Sequence, residues 1–208
     1  MGFGKRKSGG GGNFLPLLKF DARNGSLHTE TRVQTFNGWE KEQTDVGSRF
    51  CAVFDLANAQ VGWLKFPRGS APETALVPVG QNAGEAPDAD FKEGFRILVV
   101  LDESLGGGVH EFMSTSVSTW NGVSALHDAY LAAVAKHPGK LPLVSMSETV
   151  ERRYSNGNSF EPVFTIIEWV PRPEELGAEQ GSPPTQPASP QRATARRAMA
   201  EMEDEVPF

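Results

Sequence analysis

Residues 119–139 have the sequence TWNGVSALHDAYLAAVAKHPG, and this helical pattern in an otherwise strand-like chain indicates the fold class. Apolar residues recur at the spacing of one helix face from Val123 to Lys136, and alanine fills much of the rest. Asn121 can cap the start of this helix, and His137-Pro138-Gly139 ends it. We therefore predict an α-helix over residues 123–136.

Segments rich in β-branched and aromatic residues lie on both sides of this helix, and Pro and Gly clusters separate them. Arg49–Leu56 and Gln60–Phe66 are predicted to form a hairpin across Ala57-Asn58-Ala59. Two strands follow the helix and are joined through Asn156-Gly157-Asn158. The predicted strands are 29–36, 49–56, 60–66, 75–79, 95–101, 109–117, 143–150 and 162–170. Phe95, Phe164 and Trp169 lie in continuous apolar runs and are expected in the core.

The 208 residues suffice for one domain of ordinary size with tails. The net charge is −6, of which −4 falls on the residues from Glu174 onward and −2 on residues 1–173, so charge alone does not indicate nucleic acid. No stretch approaches the ~20 apolar residues of a membrane span. Cys51 lies in an apolar run and is expected to be a buried small hydrophobe. We expect a cytoplasmic protein.

The last residues of the sequence join consecutive carboxylates to an apolar end. The preceding stretch, rich in Gly, Ser, Pro and Gln, cannot bury enough apolar surface to fold. A phenylalanine there can fill an apolar pocket on a partner while a basic rim binds the carboxylates, and a solvated end is the alternative. The residues of this acidic tip are Glu203, Asp204, Glu205, Val206, Pro207 and Phe208.

This tip resembles, position by position, the tip of the single-stranded DNA-binding proteins of bacteria and their phages. Phe50 to Phe66 and Phe160 to Pro173 look like the phage-encoded or prophage-encoded members. The resemblance implies a mainly β, OB-fold-like five-stranded Greek-key barrel with extra strands or hairpins, one α-helix between strands 3 and 4, and a disordered C-terminal tail. The order of predicted elements agrees with that barrel, although other small β-barrels share it.

The implied organisation is a flexible basic Gly-rich arm over 1–13, a DNA-binding domain over 14–173, a disordered linker over 174–201 and a protein-interaction tip over 202–208. The implied function is sequence-nonspecific binding of single-stranded DNA in replication, recombination and repair. The tip would recruit a polymerase, helicase or exonuclease, and a homo-oligomer is left open. The alternative is a phage structural or assembly β-domain whose acidic tail docks on a partner protein without nucleic acid.

Binding single strands without reading sequence requires aromatic faces for stacking and cations along the phosphates. Strand alternation places Trp63 and Lys65 on one face, and Gly62, Leu64 and Phe66 on the other. The face of Lys65 is expected to be exposed, so Trp63 is a stacking candidate with Lys65 and Arg68 as cations. The alternative for Trp63 is a place in the core.

Two further places combine aromatic and basic residues. Trp39 follows the turn-like Asn37-Gly38 and has Lys41 close behind. The predicted loop between the last two strands carries Arg152, Arg153 and Tyr154, and a solvated hairpin tip is its alternative. The predicted DNA-binding residues are Trp39, Lys41, Trp63, Lys65, Arg68, Arg152, Arg153 and Tyr154.

Sequence motifs do not indicate an enzyme. The chain has no Walker A pattern, and no predicted helix opens after Gly106-Gly107-Gly108. Its four histidines lack zinc-ligand spacing, and it has a single cysteine. We expect no catalytic residue, metal or cofactor.

Overall fold

The computed structural model describes residues 15–36, 38–47, 50–67, 71–154 and 157–177, with the backbone alone at 32–35, 38, 39 and 154. The expected arm, the linker from residue 178 and the acidic tip lie outside these residues.

Strands dominate the described residues, which contain one α-helix, as the sequence predicts. Short 3-10 helices lie at Leu56–Asn58, Glu103–Leu105, Val134–Lys136 and Glu174–Leu176. The α-helix is α1 (Val117–Ala133). The strands are β1 (Leu17–Asp21), β2 (Ser26–Thr35), β3 (Gly38–Asp45), β4 (Cys51–Phe54), β5 (Gln60–Lys65), β6 (Glu73–Pro78), β7 (Lys92–Leu101), β8 (Gly108–Ser114), β9 (Lys140–Tyr154) and β10 (Gly157–Pro171).

The strands form one mixed sheet with the order β10-β9-β4-β7-β8-β1-β2-β3, and β5 pairs with both β6 and β7. All pairings are antiparallel except that of β1 with β8. Among the described residues, no strand ladder closes this sheet. The Phe160 amide nevertheless donates to the Ala22 carbonyl at 2.7 Å, so the residue that follows β1 contacts β10.

The predicted hairpin of β4 and β5 is wrong. Both strands run antiparallel to β7, with Phe54 opposite Val99 and Gln60 opposite Arg96. The 3-10 turn between them is therefore an interruption in one strand path, not a reversal of the chain. Ala57-Asn58-Ala59 separates the two apolar runs in sequence, but pairing with a third strand decides their direction.

Helix α1 begins at Val117 rather than at Val123, and Ser116 rather than Asn121 is its N-cap residue. Gly122 does not interrupt it, because this glycine lies where α1 packs on β10. A Cβ atom there would come 2.2 Å from the Pro162 carbonyl oxygen. Close packing on the sheet therefore outweighs the low helix propensity of glycine. The helix does end before His137, as predicted.

Edge-to-face phenylalanine pairs form the centre of the core. The rings of Phe54 and Phe112 lie 6.1 Å apart, and those of Phe95 and Phe112 lie 5.3 Å apart. Phe95 and Phe164 are buried, as predicted. Trp169 packs against the core from its edge, where its ring stacks on His137 with 4.5 Å between the centroids.

Two strands were not predicted from the sequence, β1 and β3. β3 is an edge strand with the sequence GWEKEQTD, and its charged residues hide the apolar alternation that normally identifies a strand. Cys51 is half-buried rather than buried. Burial, followed by the charges of Asp102 and Glu168, raises the pKa of its thiol.

Candidate nucleic-acid interface

The alternation predicted for β5 holds for residues 61–65, but the face of Lys65 is half-buried rather than exposed. Gly62 and Leu64 are buried, whereas Val61, Trp63 and Lys65 are half-buried. The indole Nε1–H of Trp63 donates to the Gly84 carbonyl at 3.1 Å, so Trp63 lies partly beneath the segment that joins β6 to β7. Trp63 is therefore neither fully exposed for stacking nor a core residue, because its ring lies outside the main core but is partly covered.

Lys65 is ion-paired inside the protein. Its Nζ lies 3.1 Å from Oδ2 of Asp88 and 3.2 Å from Oδ2 of Asp90, and 5.5 Å from the centre of the Phe91 ring. Hydrogen bonds to these two carboxylates raise the pKa of Lys65 above its ordinary value. The pKa of Asp88 is lowered, first by the Asp90 amide and then by Lys65. The ammonium group thus stays charged and has two carboxylate partners.

An open cleft of about 410 Å³ lies beside Lys65. Phe66, 44% exposed, and Lys92 line it and were not among the predicted site residues. Alternation assigned Phe66 to the face of buried Leu64, but the strand ends at Lys65 and Phe66 escapes that rule. The lining residues are Leu64, Lys65, Phe66, Pro67, Asp90, Lys92 and Thr115. The cleft therefore offers an aromatic face, two ammonium groups and one carboxylate.

A second charged cluster lies on β1 to β3. Lys19 and Lys41 each place Nζ 2.8 Å from a carboxylate oxygen of buried Glu30. Burial by itself raises the pKa of Glu30, but hydrogen bonds and charges from the two lysines outweigh it and lower the pKa to about 2. The predicted Lys41 remains 55% exposed in its side chain while paired, so its ammonium group is accessible to solvent.

The β2–β3 connection carries the fully exposed Phe36. Trp39 lies at the start of β3, opposite Gln34. Positions 39 and 41 are two residues apart in one strand and hence on one face of the sheet. Phe36, the last residue of the predicted strand 29–36, is an additional stacking candidate to which the sequence assigned no role.

The predicted loop with Arg152, Arg153 and Tyr154 is instead the end of a long antiparallel ladder. Arg152 lies opposite Ser159, and Arg153 lies opposite Asn158. Both arginines are exposed, and Nη2 of Arg152 is 3.6 Å from a carboxylate oxygen of Glu161. Strand pairing therefore continues as far as Tyr154 and Gly157.

The predicted residues fall into three places that no described contact joins. Trp63 and Lys65 lie together on β5, Lys41 belongs to β3, and Arg152 and Arg153 belong to the end of β9. Arg68 and the acidic tip lie outside the described residues.

Other chemistry on the described residues is limited. They contain no group of three or more His, Cys, Asp or Glu side chains that could hold a metal ion. His110 is buried, and burial lowers the pKa of its imidazole. A largely apolar cleft of about 150 Å³ lies between α1 and β5, with His127 and Asp128 at its lining. Within the same part of the chain, no helix is both long and apolar enough to cross a bilayer.

Comparison with protein-family models, with curated proteins and with solved structures finds no match to this chain.

Proposed function

We propose that this protein binds single-stranded DNA without sequence specificity through an OB-like body. In this assignment β4 and β5 together are the first barrel strand, β7 the second and β8 the third. After α1, β9 and β10 are the fourth and fifth. The pairings of β4 with β9, of β4 and β5 with β7, of β7 with β8 and of β9 with β10 support it. Strand β1 would then fill the gap between the third and fifth strands.

OB-folds bind oligonucleotides on the face of strands 2 and 3 and with the loops that join strands 1–2 and 4–5. In this chain the first of those loops is residues 66–91, which include β6 and border the cleft at Phe66. The second is the β9–β10 end with Arg152 and Arg153. Lys65 and Lys92 flank the first connection, and the second carries Arg152 and Arg153, so cations lie beside both places where the proposed groove would be.

The cleft beside Lys65 is the observation that carries the proposal. Exposed Phe66 offers a face on which a base can stack, and Lys65 and Lys92 offer two ammonium groups to the phosphates. Stacking on an aromatic ring contributes about 1–3 kcal/mol per base and accepts every base, so this chemistry suits binding without sequence preference. No catalysis is required of it.

The acidic tip over 202–208 would recruit replication, recombination or repair enzymes, as its sequence implies. Partner binding would use Phe208 as an apolar anchor and the carboxylates at a basic rim. We assign the protein to the cytoplasm of a bacterial or phage-infected cell on the same ground.

Tryptophan-fluorescence titration of the full chain with oligo-dT and with a duplex of equal length tests this function. We expect quenching by the single strand and little response to the duplex. Phe66→Ala should weaken oligo-dT binding by about fivefold or more, the lower end of one lost stacking contact. Leu131→Ala is the matched control, because Leu131 is an exposed apolar residue on α1. Equal responses to single strand and duplex would contradict the proposal.

One observation favours the alternative, a structural or assembly domain that docks on a protein. Lys41, Lys65 and Arg152 are each ion-paired within the protein. Binding of a partner protein that depends on residues 202–208, together with no response to oligo-dT, would favour this function.

A further inference from the structure

Residues 79–91, which we call the covering segment, lie over the outer part of β5. The Gly84 carbonyl accepts a hydrogen bond from the Trp63 indole. Asp88 and Asp90 both bind the ammonium group of Lys65. The covering segment therefore binds both Trp63 and Lys65, the two β5 residues predicted from strand alternation to contact DNA.

The covering segment keeps its shape mainly through local hydrogen bonds. Oδ1 of Asn82 accepts from the Gly84 amide at 2.9 Å, and Oδ1 of Asp88 accepts from the Asp90 amide at 2.8 Å. Most of its residues are exposed, so little apolar surface holds it on β5. Exposed ion pairs contribute weakly, at most about a fivefold change in an equilibrium constant for each pair. A ligand that supplies equivalent anions can therefore displace these contacts.

We propose that Asp88 and Asp90 occupy a site for backbone phosphates at Lys65, and that a bound single strand displaces them. The inference rests on the proposed function and adds how this site is occupied before DNA arrives. A lysine ammonium is a compact charge with three donors, and it binds carboxylate or phosphodiester oxygens in the same way. Displacement would also release the Trp63 indole from Gly84. Lys92, which lines the same cleft, would contact the incoming strand from the start of β7.

The displacement of Asp88 and Asp90 by phosphates predicts how the DNA affinity depends on salt concentration. A lysine that already has carboxylate partners gains little from a phosphate and releases few counterions. Each cation that newly contacts a single strand steepens the slope of log K against log salt concentration by about 0.7. Removing both carboxylates should therefore tighten binding and steepen the salt dependence together.

The test measures oligo-dT binding by the full chain across a salt series. The variant is D88N/D90N, because an asparagine at position 88 keeps an oxygen acceptor for the Asp90 amide. The control is E85Q/E103Q, which makes the same change in net charge at exposed carboxylates. We expect D88N/D90N to bind about fivefold more tightly with a slope steeper by about 0.7, and the control to change less than about twofold. Lys65→Gln should abolish the gain in D88N/D90N, because that gain depends on the ammonium group that the two carboxylates release.

Amide hydrogen exchange gives a second test. A bound ligand ordinarily slows exchange in the segments it contacts, whereas displacement predicts faster exchange. Oligo-dT should increase amide exchange in the covering segment, and protection there would overturn the displacement. If the wild-type protein binds oligo-dT and both double variants bind equally well, the displacement of Asp88 and Asp90 is wrong while the proposed function stands. If no version binds oligo-dT, the proposed function is wrong, and the proposed displacement of Asp88 and Asp90 is wrong with it.

Discussion

Arg172 and Asp55 form a buried ion pair that ties the chain after β10 to the turn between β4 and β5. Nη1 and Nη2 of Arg172 donate to the two carboxylate oxygens of Asp55 at 3.1 and 2.7 Å. Asp55 is 1% exposed, and Asn58 donates to the same carboxylate. Nε of Arg172 donates to the Gly177 carbonyl at 2.8 Å. The two side chains thus join residues far apart in sequence.

Arg172→Ala should lower the free energy of unfolding by about 3–5 kcal/mol, because it leaves a buried carboxylate without its cation. Asn58 remains as a donor, but one amide does not replace a bidentate guanidinium. Arg152→Ala is the matched control. Its ion pair with Glu161 is longer and its side chain is 54% exposed, so its loss should cost no more than about 1 kcal/mol.

Urea unfolding at pH 7, followed by circular dichroism, measures both losses. Asp55→Asn should change the free energy of unfolding in opposite directions in two backgrounds. In the wild-type protein it should destabilise, because it removes the partner of Arg172. In the Arg172→Ala background it should stabilise, because a buried neutral amide costs less than a buried unpaired charge. Equal losses for Arg172→Ala and Arg152→Ala, or destabilisation by Asp55→Asn in both backgrounds, would contradict the stabilising role of this ion pair.

Two further predictions concern stability. The pKa of Glu30 is lowered from 4.5 to about 2 in the folded protein, so its contribution is present above about pH 4.5 and is lost as the pH falls towards 2. It amounts to at most about 3 kcal/mol, and Glu30→Gln should remove this pH dependence in urea unfolding between pH 5 and pH 2; an unchanged dependence would contradict the lysine pairing. Gly122→Ala should lower the thermal midpoint through a clash with Pro162 that costs about 1–3 kcal/mol, whereas Ser124→Ala on the exposed side of the same helix should not; a stable Gly122→Ala protein would mean that α1 can shift away from β10.

Local patterns in the sequence predicted a substantial part of this fold. The alternation in β5 separated buried Leu64 from half-buried Trp63 and Lys65. Continuous apolar runs placed Phe95 and Phe164 in the core. These features are readable because each depends on the preference of a residue for water or for the interior, within one strand or one helix.

Pairing between distant segments was not predictable in the same way. The runs that became β4 and β5 look like a hairpin, yet both pair with β7. Gly122 looks like a helix boundary, yet contact with β10 places it inside α1. The charged β3 gives no alternation, since residues 40–45 are all exposed and no side of this stretch is buried.

Some features of the candidate site could be predicted from local sequence, and others depend on contacts between distant segments. Local residue patterns were enough to predict a mainly β chain with one helix, the greater exposure of Lys65 than of Leu64, and the acidic tip, which lies outside the described residues. The pairing of Lys65 with Asp88 and Asp90, and the cleft that it shares with Phe66 and Lys92, became visible only in the folded chain. Residue preferences act locally, whereas charge partners and clefts arise where segments distant in sequence are brought together by the sheet.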